Sequence, residues 1–572
     1  MVSNGTASRR ARGRDMLIVA MNALHRCSAL SLAFLLAASS AAAQRPTRAP
    51  RPREAATRLE DLKADVAREV DARATLTQQI VDEVYSFGEL GFQETETSRY
   101  LVRILRDSGF TVEEGILGIP TAWVASWGAG KPVIALGSDI DGLPETSQWP
   151  GVACHVPMVD GAPGHGEGHN SGLALNITAA LAVRAVMQRQ HLQGTIRLWP
   201  GVAEEIVGAK AYFVREGVFR DVDISLFAHV AANMDVSWGE QDATGLVSAL
   251  FTFEGQSAHA AGAPWRGRSA LDAVELMDVG WNFRREHLRL QQRSHYVITG
   301  GGDQPNVVPP RASVWYYFRE MDEPHIRELF ALGDTMAQAA AMMTGTRLAS
   351  VRILGTAWPQ HFNRVIAETM YRNIRRVGLP VWSDADQALA HAVQHEVGAP
   401  DSGLATRLDT LRAPVPPEQR RGGGSDDIGD VSWAVPTVTL RYPANIPGLP
   451  GHNWSNGIAM ATPIAHKGTV AGAKVQAMTM LDFLLEPALV DSAWGYFRSI
   501  QTKTVQYRPL MRPEDRPATE MNADVMARFR PAMRRFYYDP TRYRSYLEQL
   551  GIAYPTLRRP DGTCPSPAAP AR

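Results

Sequence analysis

Cysteine is scarce in this chain: Cys27, Cys154 and Cys564 are the three among 572 residues. So few cannot be read as a disulfide framework. An excess of either charge is missing too, since 59 Lys and Arg face 59 Asp and Glu. Composition therefore gives no ground for a nucleic-acid partner. Beyond the N-terminus no apolar run approaches the length of a membrane span, and no internal repeat is visible. What remains is an ordinary soluble composition, 45% apolar, on a chain too long for a single core. Two or more domains are expected.

The N-terminus departs from that average. Arg9, Arg10, Arg12 and Arg14 precede an apolar stretch that peaks over residues 29–38, and Ala41-Ala42-Ala43 follows just before Gln44. A basic start, a short apolar middle and a small-residue exit predict a signal peptide over residues 1–43. Starting at Met21 gives a tidier version of the same pattern. The mature protein is then periplasmic or secreted, with no stable membrane span after signal removal. Cys27 leaves with the leader, and the spacing of Cys154 and Cys564 does not decide whether they pair.

Periodicity predicts an α/β protein of two domains. Residues 44–56 read as a Pro- and Arg-rich linker, followed by a helical pattern over 56–86 and another over 95–108. Short apolar runs at 132–136, 195–199 and 224–228, bounded by breakers, suit buried parallel strands. A helix over 172–190, apolar nearly all round, lies between the first two. From Ser248 a strand, a long helix, two strands, a helix and a strand succeed one another, the order of a split-βαβ (ferredoxin-like) module. The chain thus divides into a discontinuous catalytic domain (44–247 and 358–486), an inserted lid or dimerisation domain (248–357), and an extension (487–572) without a readable role.

Chemistry-bearing residues gather at the predicted strand ends. Asp139 and Asp141 follow the first strand, Glu204 and Glu205 the second, and His229 the third. In open α/β sheets, sites form outside the carboxyl ends of strands. Between them, Gly164-His165-Gly166-Glu167-Gly168-His169-Asn170 packs two imidazoles and a carboxylate among glycines that let the backbone wrap a ligand. Taken singly, each has a bland reading: a capped polar loop, an acidic pair at a helix start, a satisfied histidine at 229, 259 or 452, a turn at Asp427. Together they predict a metal site that activates water, with one of the adjacent glutamates as ligand and the other as base.

These residues resemble the metallopeptidase family of aminoacylases, glutamate carboxypeptidases and succinyl-diaminopimelate desuccinylase, in particular its aminobenzoyl-glutamate utilisation branch. The resemblance rests on Ser138-Asp139-Ile140-Asp141-Gly142-Leu143-Pro144, Ala203-Glu204-Glu205, Ser257-Ala258-His259-Ala260-Ala261, residues 267–275, Pro305-Asn306-Val307-Val308, residues 429–433, Pro450-Gly451-His452-Asn453-Trp454 and residues 464–468. It runs in order from about residue 65 to 490. It implies two divalent metal ions and an inserted domain that dimerises. By the same resemblance Glu204 is the general base, and Glu167, His169, Glu205, His229 and His452 are metal ligands. Asp141 orients a ligand histidine, in the manner of carboxylates that support metal-bound imidazoles. His259 serves a neighbouring subunit's site, and Asn306 and Arg319 hold the substrate.

One position departs from the branch, which places a cysteine where Glu167 stands. Glutamate is a harder donor and favours zinc, manganese or cobalt bound through oxygen and nitrogen. The expected function is an exported, homodimeric, metal-dependent amidohydrolase of small N-acyl or N-aminoacyl amino acids resembling aminobenzoyl-glutamate. Two alternatives stand beside it: a dipeptidase or carboxypeptidase using the same site, and a non-catalytic binding protein on a degenerate hydrolase scaffold.

Overall fold

The structure, a computed structural model, describes residues 52–565. The leader expected over residues 1–43 lies outside them. The first helical stretch is two helices, Pro52–Asp71 and Ala74–Phe87. Arg73 sits at the break, its guanidinium donating to the Glu69 carbonyl at 2.6 Å and so capping the end of the first helix.

Twelve strands follow in chain order: β1 (Thr111–Glu114), β2 (Trp123–Ala129), β3 (Val133–Asp139), β4 (Gly194–Gly201), β5 (Ile224–Ala231), β6 (Gly239–Glu240), β7 (Gly245–Glu254), β8 (Arg293–Gly300), β9 (Arg311–Glu320), β10 (Arg347–Ala357), β11 (His361–Phe362) and β12 (Thr437–Pro443). The large sheet has the order β1-β2-β4-β3-β5-β12. Its β4, β3, β5 and β12 run parallel, while β1 and β2 are added antiparallel at one edge. Burial explains the parallel part, since every residue of β3 is buried and the strands alternate with covering helices. Helices Gly172–Gln190 and Pro463–Leu485 lie together against this sheet. Buried amides fix them there: Asn176 Nδ2 donates to the Gly137 carbonyl at 2.8 Å, and Gln476 Nε2 to Asn176 Oδ1 at 3.0 Å. A buried amide without such partners would cost stability, so the sheet accepts these helices in one register.

The inserted unit forms a four-stranded antiparallel sheet of order β10-β7-β9-β8, the split-βαβ arrangement expected from the sequence. Helices Ala270–Arg285 and Glu323–Thr344 pack on it over a core that includes Phe251, Trp281, Tyr316 and Phe318. Both helices start on a side-chain cap: Ser269 accepts from the Asp272 amide and Asp322 from the His325 amide.

Through residue 565 the C-terminal extension packs along both units. Leu510 and Met511 enter the core of the inserted unit. Farther on, Arg530 pairs with buried Glu89 at 2.8 Å, and the Tyr546 amide donates to Asp82 at 3.0 Å. Cys154 and Cys564 form a disulfide, tying the end of the described chain to the catalytic unit. Among the described residues, no helix is long and apolar enough to cross a membrane.

Candidate metal centre

The parallel strands deliver their acidic ends to one place. Asp139 closes β3, and the residue two beyond it, Asp141, is 1% exposed. The Asp141 carboxylate accepts the backbone N–H groups of Glu204 and Glu205, both at 3.1 Å. These glutamates occupy a 3₁₀ turn just past β4, bracketed by Ala203 and Val207 in the left-handed region (φ 53° and 48°). Such backbone costs energy for side chains with a Cβ and is found where a site imposes it. Gly91 makes room beneath, since a Cβ there would come within 2.8 Å of the Ala203 Cα.

The glycine-rich loop brings in the second wall. Gly168 (φ 122°) separates Glu167 from His169, and a Cβ on it would meet the Met460 sulfur at 2.4 Å. His169 Nδ1 lies 3.2 Å from the Asp141 backbone carbonyl and 3.7 Å from its carboxylate. With Nδ1 turned to that carbonyl, Nε2 is the atom His169 would offer a metal, and it faces His229 Nε2 at 3.3 Å. His229 in turn has Nδ1 2.8 Å from the Val230 carbonyl. Burial of His169 is outweighed by its Asp141 hydrogen bond and by Glu205, Asp139 and Glu167, which hold the imidazole well above its ordinary pKa, so the cluster favours positive charge between these two rings, a proton or a metal ion.

Glu167 links the two sides of the cluster, with Oε1 3.5 Å from His229 Nε2 and Oε2 3.1 Å from His452 Nε2. His452 also stands 3.5 Å from Glu205 Oε2. Glu205 Oε1 is buried without a hydrogen-bond partner. Ligand atoms of Glu167, Glu205 and His452 lie within 4.8 Å of one another, as do those of His169, Glu204 and Glu205, and of Asp139, His169 and His229. The donor set is oxygen and nitrogen, which fits zinc or manganese.

Electrostatics agree with a place for cations. Burial pushes the Glu204 carboxyl well above its ordinary range, with Asp139 and Asp426 adding repulsion. Burial likewise raises Glu205 to about 8, partly offset by His169. At Glu167, burial is outweighed by the His452 hydrogen bond and the neighbouring His169 and His229, and the carboxyl falls below its ordinary range. Burial lowers His229 to about 4, so it is neutral and able to ligate near pH 7. A bound dication relieves the carboxylate crowding that burial makes costly.

The cluster opens into a cavity of about 920 Å³. Arg319 reaches it from β9, with its guanidinium 5.1 Å over the Tyr317 ring, and Tyr317 donates to the Glu205 carbonyl at 3.3 Å. His259 and Asn306 are placed elsewhere. They are exposed neighbours on the inserted unit and do not line this cavity within one chain. His165, the other imidazole of the glycine-rich loop, turns away and lies 3.1 Å from the Val84 carbonyl. Sequence reasoning missed Lys210, which is wholly buried between Asp139 (2.6 Å) and Asp427. It also missed Arg412 and Arg441 on the cavity wall. A lysine just past an acidic pair looks like any helix-surface lysine, whereas the pair Asp426-Asp427 was a usable signal for a buried cation.

Fold and cluster define a two-domain hydrolase with a parallel-sheet catalytic unit and an inserted dimerisation-type unit. Residues 243–340 match the M20 peptidase dimerisation domain. The chain is 34% identical to a component of the p-aminobenzoyl-glutamate hydrolase of Escherichia coli, over 72% of this chain and 90% of that protein. It is 26% identical to the Xaa-Arg dipeptidase of Mus musculus, over 77% and 94% respectively. The aminobenzoyl-glutamate utilization protein of Klebsiella pneumoniae shares the fold, with TM-score 0.51, 18% identity, and coverage of 73% of this chain and 99% of that one. The protein belongs to the M20 peptidase family and is an enzyme of its hydrolase class.

Proposed function

We propose that the protein is an exported, metal-dependent amidohydrolase that cleaves small N-acyl or N-aminoacyl amino acids of the aminobenzoyl-glutamate kind. One observation carries the reading: Glu167, His169, Glu205, His229 and His452, distant in sequence, converge around Glu204 at the end of one cavity. Two divalent ions held by those five side chains would polarise the scissile carbonyl and acidify the attacking water. Glu204, beside the ligands but crowded by Asp139 and Asp426, accepts the proton from water at a carboxylate oxygen and returns it to the leaving nitrogen. Asp141 holds the Glu204–Glu205 turn through its two backbone N–H groups and so keeps the base in register with the ligands. Arg319 binds the substrate carboxylate from the inserted unit.

Dimerisation belongs to the same proposal. Phe283 is 75% and Val297 63% exposed on helix Ala270–Arg285 and edge strand β8, apolar surface that a second copy would cover. Through such a dimer His259 and Asn306 would serve the partner's cavity. Export is supported by the leader pattern and by the Cys154–Cys564 pair, which suits an oxidising compartment. The test is hydrolysis of an N-acyl-glutamate by the metal-loaded enzyme. Turnover that falls at least about 10²-fold in Glu204→Gln with metal retained supports the reading; unchanged turnover in that variant refutes it. The dipeptidase alternative draws on the resemblance to Xaa-Arg dipeptidase, and a substrate panel separates the two.

A further inference from the structure

The cavity's charges are not equally engaged. Its three carboxylates outside the metal cluster already have partners. Asp235 is paired with Arg412 at 2.6 Å. Asp242 accepts the backbone N–H groups of Arg421 and Gly422, both at 2.8 Å. Asp426 accepts the Ile428 amide at 2.8 Å and faces Lys210 at 3.6 Å. The guanidiniums of Arg319 and Arg441 differ: among the described residues neither has a carboxylate within 4.0 Å, though both line the cavity. The Arg319 Nε is buried without a hydrogen-bond partner.

These two cations come from separate walls. Arg319 extends from the inserted unit across Tyr317. Arg441 rises from β12, where its Nη1 lies 3.3 Å from His229 Nδ1, on the far side of that ring from the cluster. An anion held at Arg441 would therefore lie beside His229, on the cavity wall next to the cluster. A guanidinium presents a rigid donor fork that a carboxylate matches with two hydrogen bonds. Two guanidiniums free of carboxylates, against one carboxylate, Asp242, that is held by backbone amides alone, favour substrates carrying two negative charges. The same walls disfavour a basic side chain, which would meet two like charges, with Asp242 already turned to the Arg421 and Gly422 amides.

We infer that Arg441 is a specificity-determining residue that anchors a second carboxylate of the substrate, so that the cavity selects amides of dicarboxylic amino acids over amides of basic ones. The inference rests on the amidohydrolase reading and extends it to the leaving half. The experiment compares N-benzoyl-glutamate, N-benzoyl-glutamine and N-benzoyl-arginine on the metal-loaded enzyme and on Arg441→Gln and Arg441→Lys. The wild type is expected to prefer the glutamate amide over its neutral isostere by on the order of 10²-fold in kcat/KM. That ratio should collapse toward one in Arg441→Gln, through KM, and recover in part in Arg441→Lys. Metal content should stay at the wild-type level. Preference for the arginine amide overturns the inference, as does loss of metal together with an equal loss on all three amides, which would mark Arg441 as a support for His229. If the wild type hydrolyses none of the three, the amidohydrolase reading fails by itself. Calorimetric binding of the same compounds to Glu204→Gln then decides the anchor. Tighter binding of the glutamate compound, lost on adding Arg441→Gln, upholds it, and equal binding overturns it.

Discussion

Replacing Lys210 by methionine removes one ammonium from the buried interior. Lys210 is fully buried, with Asp139 at 2.6 Å, Asp427 in contact and Asp426 at 3.6 Å. Methionine matches the length of the stem and keeps the packing, so the loss is electrostatic. Breaking a buried pair from one side leaves an uncompensated charge and costs about 3–5 kcal/mol. For about 500 ordered residues the unfolding entropy is roughly 1.1 kcal/mol/K, so a single cooperative transition should fall by about 3–5 °C. The sign of the pH dependence follows from the carboxylates. Burial pushes Asp139 and Asp427 up to about 7, against the pull of Lys210. A carboxyl whose folded pKa is raised costs stability as pH climbs from its unfolded value near 4 toward the folded one. Without the ammonium both are raised further, so Lys210→Met should be hurt more at pH 8 than at pH 5.5. Thermal unfolding followed by circular dichroism at the two pH values reads this directly. A shift under 1 °C at pH 8, or an equal shift at both, refutes the role of Lys210 as the counter-charge of these buried carboxylates.

Other consequences can be checked in parallel. Mixed dimers of Glu204→Gln and His259→Ala should recover about a quarter of wild-type activity if His259 acts in the partner's site, since half the dimers formed on co-expression are mixed and each keeps one intact site; no recovery places His259 in its own chain's site, and a His259→Ala enzyme that is active by itself places it outside the reaction. Cys564→Ser removes a link spanning 410 residues, for which loop entropy sets a ceiling of about 6 kcal/mol. The contacts of Arg530 and Tyr546 hold the preceding chain, so the measured loss should be well below that ceiling and proteolysis should begin C-terminal to Tyr546. Global unfolding instead would show that the disulfide organises the whole extension.

The sheet and the heart of the site were legible because burial writes a simple code. The largely apolar runs of β3, β4 and β5, broken in β4 by Thr195 and Arg197, marked parallel strands, and acids or histidines at their ends marked the site. The split-βαβ order of the inserted unit was likewise visible in its alternation of strand and helix patterns. What escaped depends on partners far away in sequence. Strand β1 is short, and both β1 and β2 are partly exposed and carry little periodic signal. Arg441 looks like a solvated strand residue until β12 is placed beside β5. The extension's anchors pair Arg530 with Glu89 and Tyr546 with Asp82, separations that no local pattern encodes. His259 and Asn306 show the opposite limit, since one chain does not bring them to the cavity and their expected role needs a second copy.

The central claim is that Glu167, His169, Glu205, His229 and His452 form a two-metal centre in which glutamate stands at a cysteine's usual place. Metal content per chain, measured by mass spectrometry on protein purified without chelator and then equilibrated with zinc or manganese, tests it most directly. The account predicts about two ions per chain, falling to one or none in Glu167→Ala. Wild-type protein that takes up no ion under these conditions contradicts it.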